Sequence, residues 1–179
     1  MCIRDSYPYL ISLVYRIFSP SQNNFLILQA VLESGTIYLI YLIAQELFNK
    51  RTAYISALLY AVYAPAIFYS GLLLMSTVLA FLNVCTAFLI IKGYKGRNTY
   101  LIFSAGLFSG ITAIAQANIL FFLPFFLIIL VAAKRLIIFF IYLIGILLPV
   151  SYVSLRNSLA SKEFVFLSSN LGINFYIGN

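Results

Sequence analysis

FLILQAVLESGTIYLIYLIAQELF, residues 25–48, is 24 residues long and shows none of the apolar–polar alternation of a membrane β-strand, which runs over about ten residues. Wound as a helix it is about 36 Å long, at about 1.5 Å per residue, and so crosses a hydrocarbon core of about 30 Å. A spanning segment must satisfy its own backbone hydrogen bonds, which leaves the helix as the only form open to this run. It stops at Asn49-Lys50-Arg51, where charge returns.

Working outward, the same pattern recurs. Apolar runs cover Thr52 to Phe68, about Gly71 to Ile91, Tyr100 to Ala115, Ile119 to Ala133, and Leu136 to Leu155. The 179 residues are 64% apolar and 8% charged, with mean hydropathy +1.05, against about 45–50% and about 25% in soluble domains. The expected fold is therefore all-α, a polytopic transmembrane bundle of about six spanning helices. A partial outer-face helix precedes them and a short polar non-cytoplasmic tail follows. Pro65, in YAPAIFYS (63–70), fits an interfacial helix end flanked by tyrosines. Ser104, Gly106, Ser109 and Gly110 give the fourth run the small side chains that let helices approach closely. That run stops at Gln116-Ala117-Asn118.

The charges sort by turn. Lys50, Arg51, Lys92, Lys95, Arg97, Lys134 and Arg135 fall in alternate turns, and the turns between them carry no charge. The positive-inside rule puts these seven on the cytoplasmic side, and leaves Tyr7–Asn24, the Tyr69 turn, the Gln116 turn and Arg156–Asn179 on the other. A multi-pass protein of a cell membrane, a bacterial inner membrane in particular, is the expectation. Arg16 and Arg156 lie on the outer side against this rule; such an arginine either binds a phosphate or snorkels to lipid headgroups. The net charge of +7 has no soluble basic surface on which to gather, so nucleic acid is not an expected partner. With no histidine and two isolated cysteines, Cys2 and Cys85, no zinc site or disulfide is expected.

The acids are Asp5, Glu33, Glu46 and Glu163. Glu46 stands four residues before Lys50, an ordinary helical pair. Glu33 lies inside the first span, one turn after Gln29 on the same face. An ionisable group at membrane depth is either a functional acid or a hydrogen-bonded carboxyl packed against another helix. Glu163 beside Lys162 reads as a solvated turn. No pair of carboxylates, nucleophile elbow or glycine-rich phosphate loop is present. The tail RNSLASKEFVFLSSNLGINFYIGN (156–179) holds a strand-like EFVFLSS, then Asn170, Gly172, Asn174, Gly178 and Asn179 among Phe175 and Tyr176. Amides beside aromatic rings suit sugars, which offer hydroxyls and an apolar face; a membrane-belt surface turn is the alternative.

Three segments taken in order, residues 29–83, residues 105–125 and the tail from Arg156, resemble the polyprenyl-phosphate-dependent C-type glycosyltransferases. That superfamily includes protein O-mannosyltransferases and bacterial aminoarabinose transferases. The tail carries the most specific part: Arg156-Asn157, Gly172-Ile173-Asn174 and Phe175-Tyr176-Ile177-Gly178-Asn179 fall as in the family's run. The resemblance implies a membrane glycosyltransferase that takes a sugar from a polyprenyl-phosphate carrier to a protein, lipid or glycan on the non-cytoplasmic face. It implies substrate-binding roles for Arg156, Asn157, Asn118, Asn174 and Asn179 and no cofactor beyond the lipid-linked sugar; Glu33 is a candidate buried functional acid on its membrane depth alone. The family's catalytic base is an acid in the first outer loop before a YPYL-like segment, and so is expected upstream of Tyr7. Gln116-Ala117-Asn118 departs from the family's Arg-Pro-Asn, and Met75-Ser76-Thr77 replaces a frequent Glu. A transporter or channel, or a non-catalytic envelope assembly module, is the alternative; a transporter calls for Pro/Gly-broken helices in two corresponding halves and several intramembrane polar groups.

Residues 1–6, MCIRDS, back-translate to a transposon end used in sequencing libraries and are expected to be a non-native leader, with Tyr7 the first authentic residue. Residues 7–155 then form the transmembrane domain, and residues 156–179 begin a non-cytoplasmic loop. The chain so read is a fragment without its catalytic loop and is expected to be inactive alone.

Overall fold

The structure is a computed structural model that describes residues 22–72 and 74–161. The Arg16, Asp5, Glu163, Asn174 and Asn179 positions and the strand-like EFVFLSS lie outside the described residues.

The described chain is helical. Helix α1 is Gln22–Leu47, α2 Lys50–Ala61, α3 Ala64–Ser70, α4 Ser76–Gly96 and α5 Thr99–Ala115; a 3₁₀ turn at Ala117–Phe121 leads into α6, Phe122–Ala132, and α7 is Leu136–Ser161. Three helices are long and apolar enough to cross a membrane: α1 from Asn23, α4, and α7 as far as Leu159. The expected second span is two helices, α2 and α3, bent by 53° and able to act as one broken span. The cause is local. Pro65 falls in the first turn of α3, where its missing N–H costs nothing, but it could not continue α2. The fourth and fifth apolar runs form shorter helices, Thr99–Ala115 and Ala117–Ala132. The bundle is therefore polytopic and all-helical as expected, with three to four full-length spans and two shorter apolar segments.

Two sequence expectations are corrected. Glu46 does not pair with Lys50, because α1 ends at Leu47 and Lys50 opens α2; it forms an ion pair of 3.4 Å with Lys95 of α4. The last helix does not end at Leu155. It continues through Arg156 and Asn157 to Ser161, since RNSLAS contains no proline or glycine to stop it.

The basic turns are built for helix ends. Asn49 caps α2 by accepting from the Thr52 N–H at 2.9 Å and the Thr52 hydroxyl at 3.0 Å, and Asn98 caps α5 by accepting from the Tyr100 and Leu101 N–H groups. Both satisfy otherwise orphaned first-turn donors. Helix α4 ends on Arg97 in the left-handed region (φ 50°), with the Asn98 N–H donating to the Gly93 carbonyl. The turn after α6 repeats this with Lys134 (φ 54°) and the Arg135 N–H on the Leu130 carbonyl, a Schellman closure usually given to glycine. Cross-links draw the three turns to one end of the bundle. Lys95 reaches Glu46, and the Arg135 guanidinium stacks 4.6 Å over the Tyr94 ring.

The core lies among α5, α6 and α7, where Ile102, Ala105, Ala113, Phe126, Leu130, Tyr142, Ile146 and Val150 are buried. Helices α5 and α7 run parallel: Gly106 faces Gly145, and Gly110 faces Ile146 and Pro149. Helix α1 packs on α2 and α4, with Gly35 of α1 against the Phe81 ring of α4.

Candidate active site

Two cavities with polar side chains in a mainly apolar lining open between the helices. The first, of about 410 Å³, is lined by Asn83 and Thr86 of α4, Ser109 and Thr112 of α5, Asn118 of the 3₁₀ turn, and Tyr142 of α7. Its polar groups come from helical spacing. Asn83 and Thr86 are three residues apart, as are Ser109 and Thr112, and Gln116 follows four later, so each set shares a face. Gln116 is the C-cap of α5, and it joins Asn118 at the mouth of the cavity. Deeper in, the Ser109 and Tyr142 hydroxyls share a hydrogen bond of 2.6 Å, and Tyr142 packs edge-on to Phe126 with centroids 5.0 Å apart. The Thr112 hydroxyl is spent on the Phe108 carbonyl of its own helix, 2.9 Å away. The Thr86 hydroxyl oxygen is buried without a hydrogen-bond partner, an uncommon state for a polar group at membrane depth.

The second cavity, of about 280 Å³, lies at the bend between α2 and α3. Glu33, Tyr60, Tyr63, Tyr69, Ser76 and Thr77 line it. Glu33 and Gln29 sit one turn apart on the inward face of α1. The Gln29 amide donates to the Leu74 carbonyl at 2.9 Å, and this ties α1 to the start of α4. The Gln29 Oε1 and the Glu33 Oε1 are buried with no hydrogen-bond partner. The Tyr60 hydroxyl meets the Glu33 carboxyl. Glu33 is the acid of this cavity, and among the described residues no carboxylate lines the first.

Both cavities reach the end of the bundle away from the basic turns, through Ser76 and Tyr69 in one case and Gln116 and Asn118 in the other. Arg156 and Asn157 join that end by the helix register. Gly106 opposite Gly145 and Gly110 opposite Pro149 set α7 so that Gln116 comes level with Leu155 and Arg156. Arg156 is exposed, whereas Asn157 and Ser154 are buried. Asn118 and Glu33 thus fall in different cavities. Asn83, Thr86, Ser109, Tyr142 and Tyr60 did not emerge as site residues from the sequence. The available signal was the pairing of polar residues at three-residue spacing inside apolar runs, NVCT at 83–86 and SGIT at 109–112.

Neutral amides and hydroxyls around a cavity offer hydrogen bonds to a hydroxylated ligand, while the single carboxyl sits apart among tyrosines. Among the described residues no group of His, Cys, Asp or Glu could hold a metal ion.

No curated protein and no solved structure matches the chain. A family profile, described as dolichyl-phosphate-mannose-protein mannosyltransferase, matches residues 6–155. The match takes in Glu33, Asn118 and both cavities and stops just before Arg156. Spanning most of the 179 residues, it shows that the chain belongs to the dolichyl-phosphate-mannose-protein mannosyltransferase family, membrane glycosyltransferases of the GT-C type.

Proposed function

We propose that the protein moves a sugar from a polyprenyl-phosphate carrier to a protein, lipid or glycan acceptor at the membrane face away from its basic turns. Those turns are cytoplasmic in this reading, and the membrane is a bacterial inner membrane. The observation that carries it is the gathering of Asn118, Gln116, Glu33 and Arg156 toward one end of a bundle whose other described cations lie at the opposite end.

The roles follow from the chemistry. The Asn118 amide and the Thr86 hydroxyl have the donors and acceptors to hold sugar hydroxyls. Arg156, level with the mouth of the Asn118 cavity, supplies a guanidinium for the departing lipid phosphate, and stabilising that charge as it develops lowers the barrier. Asn157 supports it, and Asn174 and Asn179, outside the described residues, are further substrate-binding amides in this reading. An acceptor hydroxyl needs a base, and Glu46 is paired at the wrong end. The base in this reading is an acid upstream of Tyr7, while Glu33 and Tyr60 order the second cavity.

The full-length gene product, reconstituted in liposomes with a radiolabelled polyprenyl-phosphate sugar, tests this. Label should pass to acceptor, and Asn118→Ala, Arg156→Ala and Glu33→Gln should each lower the rate by about tenfold or more while the protein still inserts and remains helical. Transfer at the wild-type rate in Arg156→Ala would remove that residue from the mechanism. Acceptance of a nucleotide sugar in place of the lipid donor would sink the donor assignment.

A further inference from the structure

A third cavity, of about 260 Å³, lies at the opposite end of the molecule, between the turn that joins α4 to α5 and the start of α7. Arg97 and Arg135 stand at it, and Ile102, Ile137, Ile138 and Ile141 make its apolar wall. Among the described residues no acid lines it. Glu46 is committed to Lys95, so no described carboxylate in the cavity opposes the two guanidinium groups.

Arg135 is held in place. Its guanidinium stacks on the Tyr94 ring at 4.6 Å and donates through Nη1 to the Tyr94 carbonyl at 3.3 Å, leaving further N–H donors of the planar fork. Arg97 is exposed, and its left-handed backbone turns the chain from α4 into α5 beside Arg135. The N-terminal ends of α5 and α7 add positive potential to the same place.

The geometry points to a binding site for one anionic phospholipid, its phosphodiester between Arg97 and Arg135 and an acyl chain along Ile102, Ile138 and Ile141. Charge complementarity selects the headgroup, since two cations without a carboxylate call for an anion. The isoleucine wall selects a lipid over a free anion, because a soluble phosphate gains nothing from apolar surface. Basic pockets between membrane helices recognise anionic headgroups in this way. The site shares no lining residue with the other two cavities and does not rest on the sugar-transfer reading.

The test is native mass spectrometry of the full chain in non-ionic detergent, titrated with phosphatidylglycerol or with phosphatidylcholine of the same acyl chains. The wild type should retain phosphatidylglycerol preferentially. Each basic residue near an anionic lipid contributes about a fivefold gain in affinity, so Arg97→Gln with Arg135→Gln should weaken retention about 25-fold, to the phosphatidylcholine level. Arg97→Asn removes one charge with a residue that tolerates the left-handed region, and should weaken it about fivefold even if the double variant misfolds. Lys50→Gln with Arg51→Gln, at the same end but outside the cavity, should retain the wild-type preference. The proposal is overturned by equal retention of both lipids in the wild type, by no change in Arg97→Asn, by an equal loss in the Lys50/Arg51 variant, or by displacement of phosphatidylglycerol with inorganic phosphate at comparable concentration.

Discussion

Gly106 of α5 lies so close to Gly145 of α7 that a Cβ placed on Gly106 would stand 2.9 Å from the Gly145 Cα, and one placed on Gly145 would stand 2.5 Å from the Phe103 carbonyl oxygen. Backbone meets backbone here. This contact sets the parallel register that brings Arg156 level with Gln116.

Gly106→Val should therefore separate α5 from α7 and destabilise the protein by about 2 kcal/mol or more, because overpacking a close helix contact cannot be relieved by moving a flexible side chain. Thermal unfolding in detergent micelles measures it. Gly96→Ala, where a Cβ meets nothing within 4 Å, is the matched control and should leave the transition nearly unmoved.

The Ser109–Tyr142 hydrogen bond, at 2.6 Å, joins the same two helices between buried groups. A double-mutant cycle of Ser109→Ala and Tyr142→Phe should give a coupling of about 0.6 kcal/mol, the typical size for hydrogen bonds between membrane helices. Additive effects would mean that each hydroxyl finds another partner.

Thr86→Val removes a buried hydroxyl that has no partner. Stability should hold or rise by about 1 kcal/mol, since the desolvation cost of the orphaned group disappears. Sugar transfer by the full-length protein should fall if the hydroxyl is kept for a ligand, so opposite changes in melting and activity are the expected signature.

Lys134→Gly should stabilise by about 1 kcal/mol, because a non-glycine residue in the left-handed region carries that steric cost. Chemical or thermal denaturation would detect it. Lys134→Val, β-branched at φ 54°, should move stability the other way.

The sequence by itself determined the solvent and the secondary structure. Runs such as residues 25–48 are long and apolar enough to cross a membrane and can do so only as a helix, and the pairing of Lys134 with Arg135 after an apolar run marks a helix end. These are properties of single segments, fixed by propensity and by the cost of burying backbone polar groups. Only the tertiary structure decided which segments are neighbours. The presence of Gly106 and Gly145 permits close approach, but their facing one another depends on shapes contributed from 39 positions apart in the chain. The same dependence splits Glu33 and Asn118 between two cavities, gives Glu46 to Lys95 instead of Lys50, and brings Arg97 beside Arg135. A helix carries its own hydrogen bonds wherever it lies, so its sequence says that it forms; the packing of side chains between helices decides what it forms against.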